Sequence, residues 1–160
     1  MSAVAAVRLL VGIGEAGAGE LLARVGRIVP LGGNEVLLVH VIDPRARREL
    51  NLGRERAPHR PLPPHRERAL GLAEQEAARS VLAEAVEVAR RLGAEPYARP
   101  AEGEPGRVLC AHAAEHVCSA IAVGARVRLG PPERAGPHSV GHTARFVLDH
   151  APCPVLLVRG

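Results

Sequence analysis

The chain has no lysine: all 21 of its cationic side chains are arginine. That absence excludes a Schiff-base lysine and the lysine that grips phosphates in a P-loop. Arginine's planar fork donates two parallel hydrogen bonds and suits phosphate, although a GC-rich genome accounts for the same bias. Aromatic side chains are nearly as scarce, with Tyr97 and Phe146 standing alone and no tryptophan. A core must therefore be assembled from Ala, Val, Leu and Ile. Single-stranded nucleic acid, which stacks its bases on aromatic rings, is a poor fit. The cysteines, Cys110, Cys118 and Cys153, are odd in number and form no CxxC pair. A reducing compartment and a role as small buried hydrophobes are expected for them. No apolar run is long enough to cross a bilayer, and residues 1–7 lack the parts of a secretory signal. A cytoplasmic chain, off the membrane, is the expectation.

What is present is a globular composition. With 160 residues and 47% apolar content, one domain over residues 1–160 is expected, burying roughly 70% of the unfolded surface. Arg8–Ile13 is a short apolar run ending in glycines, as in a buried strand. Glu20–Val29 carries a helical pattern that Pro30, Gly32 and Gly33 stop. Glu35–Ile42 is apolar almost throughout, as a parallel strand covered on both faces would be. Residues 44–65 break this composition with arginine and proline, and predict a mobile surface loop within the domain. Arg66–Leu92 then predicts a long helix, its apolar stripe running through Leu70, Ala73, Ala77, Val81, Ala85, Val88 and Leu92. Glu87 and Arg91 form an i,i+4 pair on it.

Beyond Gly93 the pattern predicts a weak strand over Glu95–Arg99 and a helix from Gly103-Glu104-Pro105 to about Val117. A strand over Ala120–Val123, a loop over residues 124–137, a helix over Val140–His150 and a strand over Val155–Val158 complete the chain. Strands alternating with helices give the α/β class, with a five-stranded parallel sheet sandwiched by helices. In such open sheets ligands bind outside the carboxyl ends of the strands, at the switch in strand order. That rule selects the loops after the first, second and fourth strands.

The stretch from Gly136 to Thr143, just before the last helix, combines glycines, Ser139, Thr143, His138 and His142, with Arg126 and Arg128 in the same loop. Two accounts fit it: ordinary capping with Ser139 at the N-cap, or an anion held by the exposed N–H groups of the helix start. Gly12-Ile13-Gly14-Glu15-Ala16-Gly17 matches GxGxxG, but Asp43 lies 26 residues past Gly17, beyond the usual spacing of about 20 for a dinucleotide site. His112 and His116 share a helix face, but HExxH is absent and Cys110 does not share that face well. Surface histidines and no metal are therefore expected. The arginine-rich stretch from Arg45 to Arg68 is diluted by acids and reads as a solvated loop. No Ser-His-Asp or paired-carboxylate arrangement emerges, and no catalytic residue is nominated.

The C-terminal third resembles the universal stress protein family, through Gly103-Glu104-Pro105, Ala120 to Gly124, and Gly141 to Val158 with its ending His-Ala-Pro-Cys-Pro-Val-Leu-Leu-Val. Leu9–Gly14 and Val39–Asp43 extend the likeness over nearly the whole chain. The resemblance implies an open, Rossmann-like sheet of the adenine nucleotide alpha hydrolase type. It further implies ATP or AMP as ligand, with or without Mg, and a homodimer paired through Val155–Val158. The family's Gly-x2-Gly-x9-Gly-Ser/Thr motif maps onto Gly124, then Val127 in place of the second glycine, then Gly141 after a loop about four residues longer. His142 stands at the hydroxyl position, with Thr143 next to it. Gly14 replaces an adenosine-contacting aspartate, and Val41 takes the position that lines the adenine pocket. The implied nucleotide set is Gly12, Ile13, Gly14, Val41, Val123, Gly124, Arg126, Gly141, His142 and Thr143.

Three functions follow as expectations. The first is a stress-type binding or signalling module that takes an adenine nucleotide. The second is an interaction protein on the same dimer fold, without nucleotide, meeting an acidic partner through the arginine-rich loop. The third is a small oxidoreductase or a slow nucleotide hydrolase.

Overall fold

Apolar residues that follow one another in the strands bury on opposite faces of a single sheet. The computed structural model describes residues 7–45, 63–125 and 140–159. Its elements run β1 (Arg8–Gly12), α1 (Ala18–Gly26), β2 (Glu35–Ile42), α2 (Pro64–Arg91), β3 (Glu95–Glu102), α3 (Pro105–Glu115), β4 (Ala120–Gly124), α4 (His142–His150) and β5 (Val155–Val158). The sheet order is β3-β2-β1-β4-β5, and every neighbouring pair is parallel. Leu9, Val11, Val36 and Leu38 pack on one side with Leu22 of α1 and Leu82 of α2. Leu10, Leu37, Val39 and Ile121 pack on the other with Leu109 of α3 and Val147 of α4. Each such side chain contributes about 1.5–3 kcal/mol on full burial. The α/β class with helices on both faces is thus the observed one.

The core is aliphatic, as the shortage of aromatics required: Tyr97 is 46% exposed and contributes no buried ring. Cys118 is buried, whereas Cys110 and Cys153 are only half-buried, so the expectation of three buried cysteines holds for one of them. All three are free thiols, and burial pushes each one above its ordinary pKa.

β2 and β5 have the predicted bounds. α1 starts earlier and stops sooner, because Gly17 at φ 78° opens it and Ile28, which seemed to extend the stripe, is 63% exposed. In α2 the buried stripe is Ala78, Leu82, Ala85 and Ala89. Leu70, Ala73 and Ala77 are exposed, so only the C-terminal half of this helix packs on the sheet. Glu87 pairs with Arg90 at 3.1 Å, one residue short of the expected Arg91. Pro64 and His65, expected in the loop, already belong to α2; most of that loop, residues 46–62, lies outside the described residues.

β3 runs three residues past its predicted end, through Pro96 and Pro100. Its odd-numbered positions face β2: Glu95 N donates to Asn34 O at 2.9 Å and Gly103 N to Ile42 O at 3.1 Å. Both prolines therefore fall on the outer side of an edge strand, where no ladder N–H is required.

The chain steps outward from β1 to β2 to β3, then returns to lay β4 on the other side of β1. The carboxyl ends of β1 and β4 are therefore neighbours whose connections leave in opposite directions. Such a switch opens a crevice.

Candidate functional site

At that switch lies a cleft of about 670 Å³, within the range of small-molecule sites. The tips of β1, β2 and β4 form its floor, and the starts of α1, α3 and α4 stand around it. Of the residues nominated from the sequence, Gly12, Ile13, Gly14, Val41, Val123, Gly124, Gly141, His142 and Thr143 line it. Arg126, the remaining nominee, lies outside the described residues, as do Val127, Arg128, His138 and Ser139.

Glycine opens two of the helices at the cleft. Gly17 caps α1 at φ 78° and ψ 18°, and Gly141 caps α4 at φ 90° and ψ 162°. Neither cap has a side chain to satisfy the first N–H groups of its helix. Two positive helix ends thus stand at one cavity, an arrangement that favours an anion. This corrects the capping account: α4 begins at His142 and not at Val140, so the cap position falls on Gly141 rather than Ser139. The dihedral angles of Gly141 belong to a region that only glycine adopts without strain.

The floor is graded in tightness. A Cβ on Gly12 would meet Leu109 Cδ1 at 3.0 Å, so glycine here lets α3 lie close to β1. At Gly14 an added Cβ would meet nothing nearer than the Ala16 carbonyl at 3.9 Å, and at Gly124 it would meet nothing within 4 Å. The rim therefore has room for side chains that the sequence leaves out.

Sequence reasoning missed His40. It is 8% exposed, the only buried polar side chain among the described residues, and it lines the cleft. Its Nδ1 lies 2.9 Å from the carbonyl oxygen of Ile13. A carbonyl only accepts, so Nδ1 is the donor in this bond. Together with Ile13 N donating to Val39 O at 2.8 Å, this bond fixes the tip of β1 against β2. A lone polar residue inside the apolar run Glu35–Ile42 was the available signal.

Two of the charges lining the cleft are paired with each other. Glu20 pairs with Arg24 at 2.7 Å, and Arg24 also donates to the carbonyl of Arg159 at 3.1 Å, joining α1 to the end of β5. Glu15 is exposed at the rim. Elsewhere, His112 and His116 are half-buried, which departs from the surface placement expected for them.

Comparison with known proteins extends these observations. UspA, a universal stress protein of Lactobacillus plantarum, is similar at 22% identity and a TM-score of 0.70, over 96% of this chain and 97% of that one. The universal stress protein of Archaeoglobus fulgidus in complex with dAMP is similar at 21% identity and a TM-score of 0.60, over 94% and 96%. An Arabidopsis thaliana universal stress protein family protein with AMP bound is similar at 17% identity and a TM-score of 0.58, over 96% and 91%. No curated protein matches the sequence. The model of the universal stress protein family matches residues 7–159, and with the sheet order and cleft described above, the chain belongs to that family.

Proposed function

We propose that the cleft binds an adenine nucleotide and that the protein is a binding or signalling module rather than an enzyme. The observation that carries this reading is the meeting of two glycine-capped helix starts at one cavity of about 670 Å³. Gly12, Ile13, Gly14 and Val41 would line the base and ribose side. Gly124, Gly141, His142 and Thr143 would surround the phosphates. His40, bonded to Ile13, would hold the base-side backbone in place. A binding role is favoured because the carboxylates lining the described cleft are Glu15, exposed, and Glu20, held by Arg24. Magnesium would arrive with the phosphates that coordinate it. AMP and dAMP complexes of similar folds support the ligand class.

The dimer belongs to the same proposal. Val155, Leu156 and Leu157 of β5 are only half-buried although apolar, on a strand with one neighbour. A second copy pairing along β5 would cover them and satisfy the open edge.

The test is titration calorimetry with ATP, AMP and cyclic AMP, each with and without magnesium. Saturable heat by millimolar ligand is expected. Folded protein that gives no heat with any of the three overturns the nucleotide reading and leaves the interaction-protein account in its place.

A further inference from the structure

We propose that His112, Glu115 and His116 form a transition-metal site, with zinc as its ion, at the C-terminal end of α3. The three side chains are spaced i, i+3 and i+4, so they rise from one face of the helix. One ligand atom from each lies within 4.8 Å of the others. The two imidazole rings are parallel to within 3°, their centroids 5.7 Å apart. Two imidazoles and a carboxylate are a donor set that zinc accepts, leaving one coordination position open. The His-x-x-Glu-His spacing also occurs in one class of zinc enzymes.

Three further observations favour a cation here. Among the described residues, His112 Nδ1 is the buried side-chain nitrogen or oxygen that meets no hydrogen-bond partner. An uncompensated buried polar atom is costly, and a ligated ion relieves it. The cluster occupies the last turn of α3, where the negative end of the helix dipole attracts positive charge. Arg8, the nearby cation, is already paired with Glu35, which limits its repulsion of an ion.

The scaffold beneath is held from two directions. Arg8 Nη1 donates to the carbonyl of His116 at 2.8 Å. Cys118 N donates to Ala113 O at 2.9 Å and Val117 N to Ala114 O at 3.2 Å, closing the helix with the paired bonds of a Schellman turn. The backbone that carries the ligands is therefore fixed before the ion arrives.

The site is separate from the nucleotide cleft. Pro105, at the start of α3, lines the cleft, and the helix has 11 residues. Leu109 of α3 lines the cleft as well, and at 1.5 Å per residue His112 and His116 lie about 4.5 and 10 Å beyond it along the helix axis.

The experiment uses the full, tag-free chain, stripped with a chelator and titrated with zinc chloride against a chromophoric competitor. One zinc per chain is expected, raising Tm by about 5 °C or more at a hundredfold excess over Kd. His112→Ala and His116→Ala should each weaken zinc about a hundredfold, since even second-sphere partners are worth 10–100-fold. Glu115→Gln should weaken it less, and His65→Ala, on the exposed start of α2, should change nothing. Cobalt in place of zinc should give the intense visible absorption of a four-coordinate ion. Matching Tm values of the metal-free variants and metal-free parent establish that they fold. Zinc affinity unchanged in both histidine variants, or no zinc bound by the parent chain, overturns the proposal.

Discussion

The two ends of the sheet are built by different means. At the carboxyl ends of the strands, glycines and backbone groups surround an open cleft, and the caps of α1 and α4 are glycines. At the amino ends, side chains tie the chain shut. Asn34 accepts from Val7 N at 3.1 Å and donates to Pro30 O at 2.7 Å. Arg8 joins Glu35 to the carbonyl of His116, and Ser119 Oγ accepts from Arg8 N at 3.3 Å. The difference teaches that this fold keeps its binding end permissive by holding it with backbone, and anchors its other end with specific polar contacts. Substitutions at the cleft lining should accordingly change ligand affinity, and those that remove the polar contacts at the amino ends should change stability alone.

The largest effect should come where two helices near the cleft touch most closely. A Cβ on Gly106 would come within 2.7 Å of Phe146 Cβ, an atom that cannot move without its helix. Gly106→Ala should lower stability by about 1–3 kcal/mol, read from the denaturant midpoint. If stability is unchanged, α3 and α4 do not pack as described. Next is Gly14→Asp, which fits the open space at that position. It should tighten nucleotide binding by about tenfold, the least expected for one charged hydrogen bond, as measured by calorimetry. Weaker binding would place the ligand elsewhere.

At the opposite end, Asn34→Ala removes two bonds and should cost about 1–2 kcal/mol while leaving nucleotide affinity unchanged. A loss of affinity would break the division between the ends. The smallest effect is a gain. Val117 holds φ at 50° and is 81% exposed, so a β-branched residue occupies a left-handed position with little packing to lose. Val117→Gly should stabilise by about 1 kcal/mol, seen as a rise in Tm.

The asymmetry also governs what could be read from the sequence. Uninterrupted apolar runs announce strands, which is why β2 and β5 were placed to the residue, although only β2 of the two is buried along most of its length. β3 was cut short because its prolines look like breaks until the edge position and the direction of its N–H groups are known. The stripe of α2 was misplaced because Leu70 and Ala73 follow the helical period on a segment that extends beyond the sheet. The cleft was legible because glycines after strands mark the switch point whichever ligand is bound. His40 was hidden because its role depends on a carbonyl 27 positions away in sequence. The histidines of α3 were set aside as surface residues for want of a third donor; their half-burial and the approach of Glu115 to both depend on side-chain placement that the sequence does not carry.

The prolines of β3 have one more effect. A flat sheet with two receptive borders can recruit copies without limit, as fibrils do. Here Pro96 and Pro100 block one border, so growth could proceed only from the other. Two chains joined there would present a proline-blocked border on each flank, and accretion would halt at the pair.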